Sequence, residues 1–258
     1  MLLAIDVGNT NISCAVFKGK KMTASFRITT KLPRTSDEYG MLLHNLIEKN
    51  KLDPRDIDAI IVASVVPKIN YSLNSALIKY FELKPIMVEP GIKTGIRLDF
   101  DNPKQVGADR IVDAVAAYEI YGGPVIVIDF GTATTYDLVL EDGSFVGGVT
   151  APGIQTSAQA LWSAAAKLPE IEIRKPRNIL AKDTISSMQA GIVYGQVGQT
   201  EKIISEIKTE AGIDNIKTIA TGGLGAVIKK ETALIDVYDP ALTMKGLEII
   251  YEKQKKHK

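Results

Sequence analysis

Two short segments of the chain carry a carboxylate, a glycine and small polar side chains in the same order. Asp6-Val7-Gly8-Asn9-Thr10-Asn11 closes an apolar run over residues 2–7, and Asp129-Phe130-Gly131-Thr132-Ala133-Thr134-Thr135 closes another over 125–130. A carboxylate at a strand end beside a tight turn can face a hydrated cation, and glycine lets backbone N–H groups come close to phosphate oxygens. One copy alone reads as an ordinary β-hairpin, because Gly-Asn is common turn chemistry. The recurrence favours nucleotide binding, with two copies gripping the ends of a polyphosphate.

Two further segments add to that reading. Gly107-Ala108-Asp109-Arg110 opens a helical pattern, so Asp109 falls in a first turn where free N–H groups and the dipole favour its ionised form. It reads as a helix-starting acid beside a surface arginine, or as a proton acceptor beside a cation that holds an anionic substrate. Thr221-Gly222-Gly223-Leu224-Gly225 follows a strand-like run, where backbone without side chains can admit an adenine ring or ribose; a plain strand-to-helix turn fits equally. No Walker A sequence and no Gly-x-Gly-x-x-Gly at a helix start occurs, which argues against a P-loop ATPase or a Rossmann dehydrogenase. Only two histidines exist, His257 in the terminal tail and His44 in an amphipathic helical pattern, and both read as structural or solvated. Multi-histidine zinc sites and Ser-His-Asp triads therefore lose support, and the chemistry falls to carboxylates.

The elements that position these residues come in two similar sets. Each half begins with three strand-like runs joined by tight turns, over 2–7, 12–17 and 22–28, and again over 125–130, 134–140 and 144–150. Helical and strand patterns then alternate: 36–50, 57–63, 68–81 and 85–88 in the first half, 154–166, 184–211, 217–221 and 240–253 in the second. That order predicts two mixed α/β domains, 1–121 and 122–258, with the cut near Gly122-Gly123 after a helix over 107–121. No flexible linker separates them, so a shared ligand cleft is expected. Tyr136 and Trp162 are expected to serve packing.

At 258 residues and 45% hydrophobic content the chain can bury sizeable cores, which excludes disorder throughout. A formal net charge of +1 offers no field to draw it to nucleic acid or to an anionic membrane. Its apolar runs are strand-sized, far below the roughly 20 residues of a membrane-spanning helix. One cysteine, Cys14, cannot form an internal disulfide, and the opening MLLAID lacks a basic leader, so a cytoplasmic protein with no membrane or nucleic-acid partner is expected.

Taken together, Asp6-x-Gly8-Asn9-Thr10, Ala63-Ser64-Val65-Val66-Pro67, residues 107–110, the Asp129 segment, Gly147-Gly148 with Pro152-Gly153, and Thr221-Gly222-Gly223 resemble type III pantothenate kinase over nearly the whole chain. The resemblance implies the actin-like ATPase fold, two ribonuclease-H-like domains around a central nucleotide cleft, and transfer of phosphate from ATP to pantothenate as the first step toward coenzyme A. It implies that Asp109 accepts the proton of the substrate hydroxyl, and that Gly107, Ala108, Asp109 and Arg110 hold pantothenate. Asp6, Val7, Gly8, Asn9, Thr10, Asn11, Ile12 and Ser13 would line the ATP phosphates, Thr132 would touch the nucleotide, and Gly222 and Gly223 join them. Asp129 would coordinate a monovalent cation, K⁺ or NH₄⁺, and Thr184 would bond the substrate across a homodimer interface. Read alone, Thr184 is more simply a helix N-cap. Mg²⁺ follows from chemistry as well, since the polyphosphate charge exceeds what one cleft neutralises, and Asp6 is the carboxylate placed to order it.

The chain departs from the family's pattern at Phe100, where tyrosine is common before Asn102-Pro103. A substrate wall survives that change and a hydroxyl contact does not. Two alternatives stay open: a sugar or amino-sugar kinase on the same scaffold, and a non-catalytic regulatory protein.

Overall fold

The computed structural model describes residues 1–89 and 91–255; His257 lies outside the described residues. In chain order the elements are β1 (Leu2–Val7), β2 (Asn11–Lys18), β3 (Lys21–Thr29), α1 (Ser36–Lys49), β4 (Ala59–Ser64), α2 (Pro67–Phe81), β5 (Ile86–Met87), β6 (Arg97–Leu98), α3 (Ala108–Tyr121), β7 (Val125–Phe130), β8 (Ala133–Val139), β9 (Ser144–Pro152), α4 (Ile154–Ala164), α5 (Thr184–Ala211), β10 (Lys217–Thr221), α6 (Gly225–Lys229), β11 (Val237–Tyr238) and α7 (Leu242–Lys255). Local chemistry sets the helix ends. Thr35 and Glu38 form a reciprocal capping box at α1, and Gly212, at φ 65°, ends α5 in the left-handed region.

Two compact units result. The first holds Met1–Ile96, Asp101–Ala116 and α7; the second holds Arg97–Phe100 and Ala117–Ala241. Their sheets share one plan. The first runs β3-β2-β1-β4-β5, with β2 antiparallel and β4 parallel to β1. The second runs β11-β10-β7-β8-β9-β6, with β8 antiparallel and β10 parallel to β7, so β7 and its neighbours repeat β1 and its neighbours. The added edge strand β6 is the main difference. The first hairpins differ by one residue: Asp6 pairs with Ser13 and Val7 with Ile12, whereas Asp129 pairs with Thr135 and Phe130 with Thr134, so the loop after β7 is the shorter.

In the first unit the alternating residues Leu3, Ile5 and Val7 share a core with Tyr39, Leu43 and Ile47 of α1 and with Leu73 and Leu77 of α2. Helix α7 packs on β1, β2 and β4. This corrects the expected boundary, which assigned everything after residue 121 to the second domain. The physical reason is apolar: Leu242, Leu247 and Ile250 are buried, and a Cβ on Gly246 would lie 2.3 Å from the Val112 carbonyl oxygen, so only glycine lets α7 approach α3 there. In the second unit Ile126, Ile128, Phe130, Tyr136 and Leu138 pack with Ile154, Ala158, Ile192 and Ile204 of α4 and α5. Tyr136 is fully buried with its hydroxyl 3.0 Å from that of Thr200, and Trp162 packs against the same core, as expected of both. His44 is structural: its Nε2 lies 3.0 Å from the Tyr80 carbonyl, and its ring packs on Tyr80 and Phe81. Burial, and the nearby charge of Asp6, push the Cys14 thiol far up, so it stays protonated.

Candidate active site

The parallel strands β1 and β4 of the first unit end side by side, Val7 opposite Ser64. Beyond β1 the chain turns through Gly8 and Asn9 into β2, with the Gly8 amide donating to the Asn11 carbonyl at 3.0 Å. Beyond β4 the Val65 amide donates to the Val7 carbonyl at 3.1 Å, which ties the segment after β4 to the end of β1. Gly107 lies against that segment, since a Cβ on it would sit 3.6 Å from Val65 Cγ1 and 2.5 Å from Asp109 Oδ1. A side chain at position 107 would displace the carboxylate. The first unit thus brings together Asp6, Val7, Gly8, Asn9, Thr10, Asn11, Ile12 and Ser13 with Gly107, Ala108, Asp109 and Arg110.

Asp109 occupies the first turn of α3, where its Oδ1 accepts the Arg110 amide at 2.8 Å. Amide donation and the Arg110 charge favour the carboxylate, yet burial outweighs both and raises the Asp109 pKa. Sequence predicts the stabilising helix end and misses the desolvation, which depends on the tertiary setting around α3. A partly buried carboxyl with a raised pKa is a better proton acceptor than a solvated one.

In the second unit β7 ends at Phe130 beside β10, with Asp129 in register with Thr221. Gly131 and Gly222 frame the Asp129 carboxylate. A Cβ on Gly222 would lie 2.5 Å from Oδ1, and one on Gly131 would lie 2.9 Å from Oδ2. Side-chain carbon on either would crowd the group, so the carboxylate keeps its place only because both neighbours are glycine. Gly223 has nothing within 4 Å of its Cβ position and is open to a ligand. Thr132, Phe100 and Thr184 also belong to this unit. Phe100 stands edge-on to Phe145 with ring centroids 4.8 Å apart. Thr184 is not the N-cap of α5: Asp183 is, its side chain accepting the Ser186 amide at 2.9 Å, which holds its carboxyl below the usual range. Thr184 is the first helical residue and exposed, so its hydroxyl has no capping duty.

Comparison with known proteins decides the lineage. The family model for type III pantothenate kinase matches residues 2–206. The chain is also 66% identical over 254 residues to a type III pantothenate kinase of Agathobacter rectalis, with 98% of either chain covered. The chain belongs to the type III pantothenate kinase family. Among solved structures, this kinase-family chain is similar to a Campylobacter jejuni protein described as a Baf family transcriptional activator, at TM-score 0.62 and 18% identity over 98% of this chain and 99% of the other. It is similar also to a Sinorhizobium meliloti protein described as a 2-dehydro-3-deoxygalactonokinase, at TM-score 0.59 and 13% identity over 98% and 96%. At those identities the likeness concerns fold, and it agrees with the repeated sheet plan: duplicated ribonuclease-H-like units of the actin-like ATPase type. No helix among the described residues of this pantothenate kinase family member is long and apolar enough to cross a membrane.

Among the described residues no group of three or more His, Cys, Asp or Glu side chains forms a metal cage. Mg²⁺ in phosphoryl transfer is held mainly by phosphate and water with one or two carboxylates, so Asp6 at the end of β1 suits it. Three hydroxyl residues beside the predicted loops, Thr30, Thr156 and Tyr238, have no counterpart among the sequence-derived site residues. Isolated threonines and tyrosines carry no pattern, and only the hydrogen bonds described below reveal them.

Proposed function

We propose that this chain transfers the γ-phosphoryl group of ATP to the hydroxyl of pantothenate, giving 4′-phosphopantothenate and ADP, the first step toward coenzyme A. The observation that carries the mechanism is Asp109, a carboxyl with a pKa raised by burial, beside Gly107, whose missing side chain leaves it room. As the hydroxyl oxygen bonds to the γ-phosphorus, the bond from that phosphorus to the β-bridging oxygen breaks and Asp109 takes the hydroxyl proton. Arg110, adjacent in the same helical turn, supplies a cation for the pantothenate carboxylate. The loops after β1 and β7 bind the ATP phosphates, with Thr132, Gly222 and Gly223 against the nucleotide. Asp6 would hold Mg²⁺ and Asp129 would hold K⁺ or NH₄⁺, and the ions would offset phosphate charge. A homodimer would bring Thr184 to the substrate of a second copy, and the cytoplasm is the setting these substrates imply.

A coupled ADP-release assay with ATP, Mg²⁺ and pantothenate tests this reading, run in K⁺, in NH₄⁺ and in Na⁺. Turnover that requires pantothenate and rises in K⁺ or NH₄⁺ over Na⁺ is expected. Phosphate transfer to a hexose and none to pantothenate would reject it. Phe100→Tyr tests the substrate wall: a regained hydroxyl is expected to lower the KM for pantothenate by about three- to tenfold, the worth of one hydrogen bond, at little change in kcat. An unchanged KM removes Phe100 from the substrate site.

A further inference from the structure

Three backbone carbonyls, one in each glycine-containing loop assigned above to the nucleotide, are bonded by hydroxyls from outside those loops. Thr30, just past the end of β3 and buried, donates from Oγ1 to the Gly8 carbonyl at 2.7 Å, while its amide donates to the Thr10 carbonyl at 3.0 Å. Thr156, in the first turn of α4, donates from Oγ1 to the Thr132 carbonyl at 2.7 Å, a carbonyl that also accepts the Gly153 amide at 3.1 Å. The Tyr238 hydroxyl, at the end of β11, donates to the Gly222 carbonyl at 2.8 Å.

The peptide plane gives these bonds a consequence. In a trans peptide the carbonyl of one residue and the N–H of the next point in opposite directions. Tethering the carbonyls of Gly8, Thr132 and Gly222 therefore turns the N–H groups of Asn9, Ala133 and Gly223 the other way, and all three of those residues are exposed. A phosphate oxygen binds N–H groups and is repelled by a carbonyl oxygen, so a loop free to flip one peptide plane would exchange a donor for a repulsive acceptor. Thr156 is the third residue of α4, whose N-cap is Gly153. The chain after the third strand closes on the loop in both units, through the Thr30 amide on the Thr10 carbonyl and the Gly153 amide on the Thr132 carbonyl, and the hydroxyls add to that closure at different carbonyls.

We infer that Thr30, Thr156 and Tyr238 are positioning residues that hold the amide donors of their loops toward the nucleotide, those of the loops after β1 and β7 toward its phosphates. The inference rests on the ATP-binding role proposed above. Its test compares Thr30→Val, Thr156→Val and Tyr238→Phe, which delete only the donor, with Thr30→Ser, which keeps it. The Kd of Mg·ATP is measured by titration without acceptor, beside KM for ATP, KM for pantothenate, kcat and melting temperature. Each donor deletion is expected to raise Kd and KM for ATP about three- to tenfold, with kcat and KM for pantothenate within about twofold, and Thr30→Ser to stay near the unchanged chain. Unaltered ATP affinity in the deletions would overturn the inference. So would Thr30→Ser as impaired as Thr30→Val, or lower melting temperature without weaker ATP binding. Tyr238→Phe, in the other unit, keeps the test decisive should Thr30→Val fail to fold. If the unchanged chain binds ATP but does not phosphorylate pantothenate, the acceptor assignment fails while the Mg·ATP titration still judges the tethers.

Discussion

Asp109→Asn lowers turnover by about 10²- to 10⁴-fold, the usual worth of a positioned base, while the melting temperature at pH 8 stays at or above that of the unchanged chain. Both halves of the expectation follow from one feature. Burial raises the Asp109 pKa against the opposing pull of the Arg110 amide and charge. A folded-state pKa above the unfolded one contributes stability that is fully present below the unfolded pKa and is lost as pH rises through the folded value. At pH 8 the carboxylate is therefore ionised at a net cost to folding, and asparagine, isosteric and neutral, removes that cost while its oxygen can still accept the Arg110 amide. The melting-temperature advantage of the variant should shrink as pH falls into the carboxylate range, where Asp109 takes up its proton. Thermal melts from pH 4 to 8 beside single-turnover rates check both. Near-normal turnover in a clean preparation would remove Asp109 from the chemistry, and an advantage that grows toward low pH would contradict the burial argument.

The duplicated architecture was legible because its cue is local. Each half opens with an apolar strand ending in Asp-x-Gly, and the hairpin after it follows from turn residues within a few positions; the helix over 36–50 announces itself through Thr35 and Glu38. The parts that were not legible depend on distant partners. Helix α7 belongs with β1 because its apolar face and Gly246 fit the first unit, and chain order alone places it in the second. Asp183 and Thr184 are adjacent and both able to cap, so only backbone geometry tells which one does. Strand β6 is two residues long, below the length at which alternation can be read. At the site, residue types pointed to Asp6, Asp109 and Asp129. The pKa of Asp109, the close packing of Gly222 on Asp129 and the hydroxyl tethers arise from residues 20 or more positions away in several cases, such as Thr30 on Gly8.

Gly222 carries the largest expected structural effect, and it separates two glycines that look alike in sequence. Thr221 pairs with Asp129 across the parallel strands β10 and β7, so the next residue passes over the start of the loop after β7. Gly222 makes that passage at φ 89°, and a Cβ on it would lie 2.5 Å from Asp129 Oδ1 and 2.6 Å from both N and C of Phe130. Asp129 could swing away, but Phe130 is the last residue of an inner strand, buried and paired with Thr134, and its backbone cannot. Alanine there adds backbone strain of about 1–2 kcal/mol and overpacking of about 1–3 kcal/mol, which for a chain of this size lowers the melting temperature by roughly 5–15 °C. Because the loop yields by moving away from β7, Mg·ATP binding should weaken at least tenfold, and any activation by K⁺ should fall with it as Asp129 is displaced. Gly223→Ala is the matched comparison for stability: its Cβ would meet nothing within 4 Å, so its melting temperature should stay within about 2 °C of the unchanged chain. The two variants differ by one position and add the same methyl group, so equal melting temperatures would mean that the contact between the Gly222 turn and the end of β7 does not exist as described.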